Sequence, residues 1–336
     1  MKDLRYILIL LALLMLSSWD YSGTEKVIFD ESTPLMLLKS SLGKEIPSHY
    51  LKETNPKETE IGRQLIFEGR AQLEKGKSDY ISKFYVCTSC HNTVKENIDL
   101  GKVDQEARLD YAIANNLPYL QASTFWGVVN REIWYNDDYV KKYGDLVIKA
   151  SKSLKESIQL CAQECSQGRV LEDWEMQAML AYLKSIEVRL GDIGLTDSQL
   201  ASLNSNELDQ SEKLRIIDEH YLVRSPATFS EPPADKKEGY GMKGIPERGK
   251  AIYELGCQHC HKEDGVSDLV LDNAKKTFNW LKKNITADSQ YSIYQIVRQG
   301  TYASHGHREY MPHYTQEKMS DQQLEDLRSY IVQMAR

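Results

Sequence analysis

The apolar residues of this chain recur mostly at helical spacing. Between Asp173 and Glu187, the residues Met176, Met179, Leu180, Leu183 and Ile186 follow the i, i+3, i+4, i+7 pattern of one helix face, which reads the two methionines as core. From Leu154 to Gln167 the stripe is Leu154, Ile158 and Cys161, with Cys165 one turn further along. Pro246 opens a helix that puts Ala251, Ile252 and Leu255 on one face and runs up to Cys257. Ser320-Asp-Gln-Gln323 is a capping box, with Met319 and Leu324 as its hydrophobic staple. The helix it starts, Asp321 to Met334, buries Leu324, Leu327, Tyr330 and Ile331. Further helices are expected from Glu60 to Leu73 and near Ser211 to Tyr221. The pattern predicts an all-α protein.

A chain of 336 residues is long enough for two cores, since a domain usually holds about 100 to 200 residues. Two helical domains are expected, at 58–190 and 245–336. A linker at 191–244, marked by Pro226, Pro232, Pro233 and the charged patch Asp235-Lys-Lys-Glu238, would wrap across both. Residues 19–57 form a polar extension. At the start, Lys2 and Arg5 flank the apolar run Tyr6 to Leu16, so 1–18 reads as an export signal. That run is shorter than the roughly 20 residues a membrane helix needs. The body is therefore expected to be periplasmic or otherwise exported, with membrane contact only if the apolar segment is retained as a tether. The net charge of -7 and the lack of a basic run argue against a nucleic-acid partner.

The six cysteines stand at 87, 90, 161, 165, 257 and 260. Cys87-Thr-Ser-Cys90-His91 and Cys257-Gln-His-Cys260-His261 are both C-x-x-C-H, the pattern of covalent haem attachment. Two thiols one helical turn apart reach the two vinyl groups, and the adjacent histidine turns onto the iron. A zinc ribbon made from the two pairs would have to close a loop of over 150 residues. A thioredoxin-like dithiol needs a preceding strand and no second copy. Two covalent haems c, on His91 and His261, are the expectation.

Each iron needs a sixth ligand for stable electron transfer. For the second haem, Met311-Pro312 leads, because proline fixes the chain beside a methionine just before the last helix. His305, His307 and His313 surround it and keep bis-histidine ligation open, while His259 reads as a spacer within its motif. Helix, C-x-x-C-H, Met-Pro loop and closing helix over about 90 residues make the C-terminal part resemble class I cytochrome c. No Met-Pro follows His91. Cys161 is the leading sulfur for the first iron, and a Cys161–Cys165 disulfide is the competing reading, although cysteines four apart on a regular helix are poorly placed for one.

The segment Ser157-Ile-Gln-Leu-Cys161-Ala-Gln-Glu-Cys165-Ser-Gln-Gly168, followed by Glu175-Met176 and Ala181-Tyr182-Leu183, resembles the first haem domain of dihaem thiosulfate dehydrogenases and the haem subunit of the Sox complex. The resemblance implies that Cys161 ligates the first iron at the substrate site, with Cys165 as a second thiol. It departs where that family has arginines, at Ser157 and Glu164, and its serine is Cys165. Arg131 and Arg169 could supply positive charge instead. Two functions follow. One is oxidation of a small sulfur anion at haem 1, with catalytic residues Cys161, Cys165 and Arg131. The other is a non-catalytic electron carrier. In the first, a thiolate on haem 1 and a thioether on haem 2 direct electrons toward haem 2 and a redox partner protein; in the second, Cys161 or another residue only closes the coordination sphere, and partner proteins deliver and remove the electrons.

Overall fold

A computed structural model of the chain describes residues 28–301 and 310–336. The apolar run Tyr6 to Leu16, and His305 and His307, lie outside the described residues. Among the described residues the protein is all-α apart from one hairpin, Gln72–Leu73 with Gly76–Lys77. Among the described residues twelve α-helices of seven residues or more carry the architecture: α1 (Leu35–Ser41), α2 (Pro56–Glu68), α3 (Gln105–Asn115), α4 (Asp137–Tyr143), α5 (Leu154–Leu160), α6 (Asp173–Ser185), α7 (Asp197–Asn204), α8 (Gln210–His220), α9 (Pro246–Ile252), α10 (Lys275–Asn284), α11 (Ile293–Gln299) and α12 (Asp321–Met334). Among the described residues no helix is long and apolar enough to cross a membrane.

Two helix crossings organise the chain. α2 begins with Pro56 at its first turn, capped by the Asn55 side chain, and crosses α6. α9 begins with Pro246 and crosses α12. Each crossing has a glycine at its closest point. A Cβ on Gly62 would overlap the carbonyl of Ala178, and one on Gly249 the carbonyl of Asp326. The flanking residues correspond: Gly62-x-x-Leu65-Ile66-x-x-Gly69 against Gly249-x-x-Ile252-Tyr253-x-x-Gly256, and Ala181-Tyr182-Leu183 against Ser329-Tyr330-Ile331. Leu65, Ile66, Ile252 and Tyr253 are all buried. The two halves thus repeat one design.

Several boundaries differ from the sequence reading. The helix expected from Glu60 to Leu73 starts at Pro56 and ends at Gly69, a left-handed C-cap with φ +70°, after which the chain turns into the hairpin. The stretch Leu154 to Gln167 is not one regular helix: α5 ends at Leu160, and Cys161–Cys165 continue as a π-helical turn. α3 and Tyr119 fall within 58–190 by sequence, yet Leu109, Ala112 and Tyr119 pack in the same core as α9 and α12. The backbone follows, with Tyr119 N donating to Leu255 O at 2.9 Å. The extension and linker also make a core of their own, in which Leu35 and Leu38 of α1 and Leu42 just after it meet Val188, Leu203 of α7 and Ile217 of α8. An amphipathic 35–42 stripe too short to stand alone needed that partner to become visible.

A buried charged cluster ties the halves together. Glu96 faces Arg108 at 3.4 Å and Lys318 at 3.2 Å, and Arg108 donates to the carbonyls of Leu120 and Lys318. Burial alone would raise the Glu96 carboxyl, but Lys318 and Arg108 outweigh it and hold it at about 2. Its stabilisation is therefore present above the ordinary carboxylate pKa near 4.5 and is lost as pH falls from there toward 2. Glu96→Gln is expected to cost about 3 to 5 kcal/mol, because it strands two buried cations. Thermal melts across pH 2–7 check this: the variant should melt lower at neutral pH and show a flatter acid limb.

Candidate functional site

The two C-x-x-C-H motifs are presented by different local structures. In the C-terminal half α9 passes directly into a π-helical turn, Tyr253–Cys257, and then a short α-turn, Gln258–His261. In the N-terminal half the hairpin and loop 78–86 intervene, and Cys87–Ser89 form a 3₁₀ turn rather than a helix end. The histidines are nevertheless held alike. His91 Nδ1 donates to the Ser123 carbonyl at 2.6 Å, and His261 Nδ1 to the Leu269 carbonyl at 2.9 Å. With Nδ1 so engaged, each ring leaves Nε2 as its lone-pair nitrogen, the arrangement that orients a metal-binding imidazole. Phe125 stacks on His91 at 4.2 Å between centroids and fixes the ring plane. Burial lowers both histidines, His91 to about 4, so both stay neutral and able to ligate at physiological pH. The same burial pushes Cys87 and Cys257 up to about 12 and Cys260 to about 11, and raises Cys90 as well.

A cavity of about 1080 Å³ opens in front of His91. Cys87, Cys90, His91, Cys161 and Cys165 all line it, together with Leu65, Ile66, Ile81 and Val128. This is slightly beyond the roughly 300–1,000 Å³ usual for small-molecule and cofactor sites, and the lining is mainly apolar. Residues, shape and chemistry fit a haem attached at Cys87 and Cys90 and ligated by His91. Spacing in the sequence joined Cys161 to His91 across 70 positions only by resemblance, and the fold brings both to one cavity.

The π turn places the sulfurs in contact. Its signature i+5 bond is Ser166 N to Cys161 O at 2.9 Å, and the two thiols shift each other, Cys161 upward and Cys165 downward. The Tyr310 side chain adds to the lowering of Cys165. Burial raises the phenols of Tyr135 and Tyr139, with Cys165 and Cys161 adding to it at Tyr135 and Cys165 and Glu317 at Tyr139.

The candidate cations are placed otherwise. Arg131 lines the cavity, and its guanidinium donates to the Thr124 carbonyl at 3.2 Å and reaches the Tyr221 hydroxyl. Arg169 is locked in a bidentate pair with Glu175, at 2.6 and 2.7 Å. Ser157 is buried and donates to the Ala150 and Ser153 carbonyls.

The Met311 segment is pinned by Thr301: Met311 N donates to Thr301 Oγ1 at 2.7 Å, and Thr301 N to the Met311 carbonyl at 2.9 Å. Gly300, with φ +63°, permits this approach, since a Cβ there would overlap the Met311 carbonyl. His313 points elsewhere. It lines the His91 cavity and packs edge-on against Phe229 at 4.7 Å.

The two motifs also touch. Cys260 Sγ lies 3.6 Å from the Ser89 carbonyl, and His259 hydrogen-bonds the Thr88 backbone, so the residue read as a spacer links one motif to the other. Nothing in either motif alone signalled this contact.

Residues 246–335 match the family model for cytochrome c. The comparison with curated proteins and the comparison with solved structures each give no match. The C-terminal part is therefore a cytochrome c domain, which implies a covalently held haem c with iron, and the chain is a haem-based electron-transfer protein.

Proposed function

We propose that this protein is an exported dihaem c-type cytochrome that takes electrons in at a first haem, in the His91 cavity, and passes them through a second to a redox partner protein. The observation that carries the N-terminal haem is the cavity itself, lined by a C-x-x-C-H motif and by two further thiols. The repeated glycine crossing and the repeated Nδ1–carbonyl bond support it. Cys87 and Cys90 would hold the first haem covalently with His91 and Cys161 as axial ligands; Cys257 and Cys260 would hold the second with His261 and Met311. The groups supply one-electron chemistry at iron. The chain's residues keep both imidazoles neutral, exclude water with apolar walls, and put the two attachment motifs in contact at Ser89 and Cys260. A thioether ligand favours the reduced iron, so electrons run toward the C-terminal haem. Met311→His is expected to lower that haem's potential on the order of 0.1 V, within the ~0.8 V range that axial ligands control; spectroelectrochemical titration measures it.

At the first haem the electron donor is a sulfur compound that reacts beside Cys161. Stopped-flow reduction with thiosulfate, sulfite and polysulfide tests this, with rapid reduction by at least one of them in the wild type and a large loss in Cys161→Ala. If none reduces the protein, the second reading holds, that of a carrier fed by a protein donor. Two observations favour that reading: Arg169 is committed to Glu175, and Ser157 to backbone carbonyls, so neither serves a dianion beside the thiols.

A further inference from the structure

Met311 is carried on a strip of chain, 310–314, that its own domain does not hold alone. Within residues 246–335, Thr301 grips Met311 through both N and O of its backbone, and Tyr314 N donates to the Val297 carbonyl at 2.8 Å. Further contacts come from outside that range. Tyr85 donates its hydroxyl to the Tyr310 carbonyl at 3.2 Å, and the Tyr314 hydroxyl donates to the Tyr119 carbonyl at 2.7 Å. His313 lies between them in sequence, its ring centroid 4.7 Å from that of Phe229 and 6.3 Å from that of Tyr143. The methionine is thus bracketed by residues that the cytochrome c match does not cover.

Of these residues Tyr85 stands nearest in sequence to the first attachment motif, two positions before Cys87. It is buried, and the Phe84 and Tyr85 amides donate to Ser82 Oγ at 3.0 and 3.3 Å, while Ser82 donates in turn to the Ser166 carbonyl. A phenol on a backbone so tied is a fixed donor. The strip it meets is also a wall of the first site, since Tyr310, Pro312 and His313 line the His91 cavity. One hydrogen bond therefore runs from the chain just before Cys87 to the residue just before Met311.

A thioether is a neutral ligand, and how firmly it stays on iron depends on how much freedom its segment gains when it lets go. A tether that holds the segment in its ligating position lowers the cost of ordering it and so raises the cost of release. We propose that Tyr85 is a positioning residue for Met311, so that the sixth ligand of the C-terminal haem is set in part by the N-terminal half. This rests on the reading of Met311 as that ligand. Tyr85 acts through the Tyr310 carbonyl, as Thr301 acts through the Met311 backbone from within the domain. Because the thioether favours reduced iron, loosening the strip lowers the potential of that haem.

The test titrates oxidised holoprotein with imidazole, which competes with Met311 for the iron, and follows the loss of the methionine–iron charge-transfer band. Tyr85→Phe keeps the ring and removes the donor. The imidazole concentration that halves the band is expected to fall about three- to tenfold, the equivalent of one buried hydrogen bond. Thr301→Val, which removes the acceptor for Met311 N within the domain, should shift it in the same direction, and the potential of the same haem should fall in both variants. A merely structural role for Tyr85 would lower the melting temperature and leave the imidazole midpoint and the potential where they are. With the band present in the wild type, an unchanged midpoint in Tyr85→Phe overturns the proposal alone. A wild type without the band overturns Met311 as ligand, and the proposal with it.

Discussion

Alanine at Gly249 is expected to destabilise the protein by about 3 kcal/mol or more, and alanine at Gly62 to do the same in the N-terminal half. Each glycine sits where two helices cross with no room for a side chain. The new Cβ would meet a carbonyl oxygen, Asp326 O for Gly249 and Ala178 O for Gly62. A carbonyl in a helix cannot swing aside as the tip of a flexible side chain can, so relief requires the helices to part. Parting exposes Leu65 and Ile66 in one case, and Ile252 and Tyr253 in the other, all of them buried. Helix propensity works the other way and is small, since alanine is favoured over glycine by about 1 kcal/mol. Thermal melts of the holoprotein measure the net effect. A neutral or stabilising result at either glycine would remove the basis for reading the two halves as one repeated design.

Under the proposed ligation of an N-terminal haem by Cys161, Cys161→Ala is expected to change that haem and leave the C-terminal one alone. Losing a thiolate ligand raises the potential of that iron, on the order of 0.1 V or more within the ~0.8 V span open to axial ligands. With Cys161 as ligand, the variant would convert a low-spin signal to a high-spin or water-ligated one, visible by electron paramagnetic resonance. The cost to stability is modest, because Cys161 faces the cavity and only partly packs. Two signals in the wild type, one of which shifts in the variant, is the predicted outcome. Unchanged spectra in Cys161→Ala would mean that another group closes the first coordination sphere.

Much of the C-terminal half is legible in the sequence because its signals are local. Pro246, the motif at Cys257–His261, and the capping box at Ser320–Gln323 lie within single elements, and α12 runs from Asp321 to Met334 as its stripe predicts. The Ser320 side chain accepts from Gln323 N, and Met319 is buried. The N-terminal half is harder because its signals are spread out. Seventeen positions separate Gly69 from Cys87, whereas Gly256 adjoins Cys257, so the shared Gly-x-x-apolar-apolar-x-x-Gly pattern is masked by an insertion that holds the hairpin. Hydrophobic period also cannot report the π turn, since Leu154, Ile158 and Cys161 keep helical spacing up to the point where the hydrogen bonds change partner. The contact between Ser89 and Cys260 and the Glu96–Arg108–Lys318 cluster are tertiary, with partners up to 222 positions apart. Charged residues in a polar stretch read as solvated until the fold brings their partners to them.

Haem stoichiometry bears most directly on the central claim. Of six cysteines, four would be bound in thioethers if both motifs are loaded, which leaves two. The intact mass of the holoprotein, combined with alkylation after denaturation and reduction, counts both quantities in one preparation. The prediction is two haem groups per chain and labels on Cys161 and Cys165 only. A mass for one haem, with Cys87 and Cys90 also labelled, would contradict it.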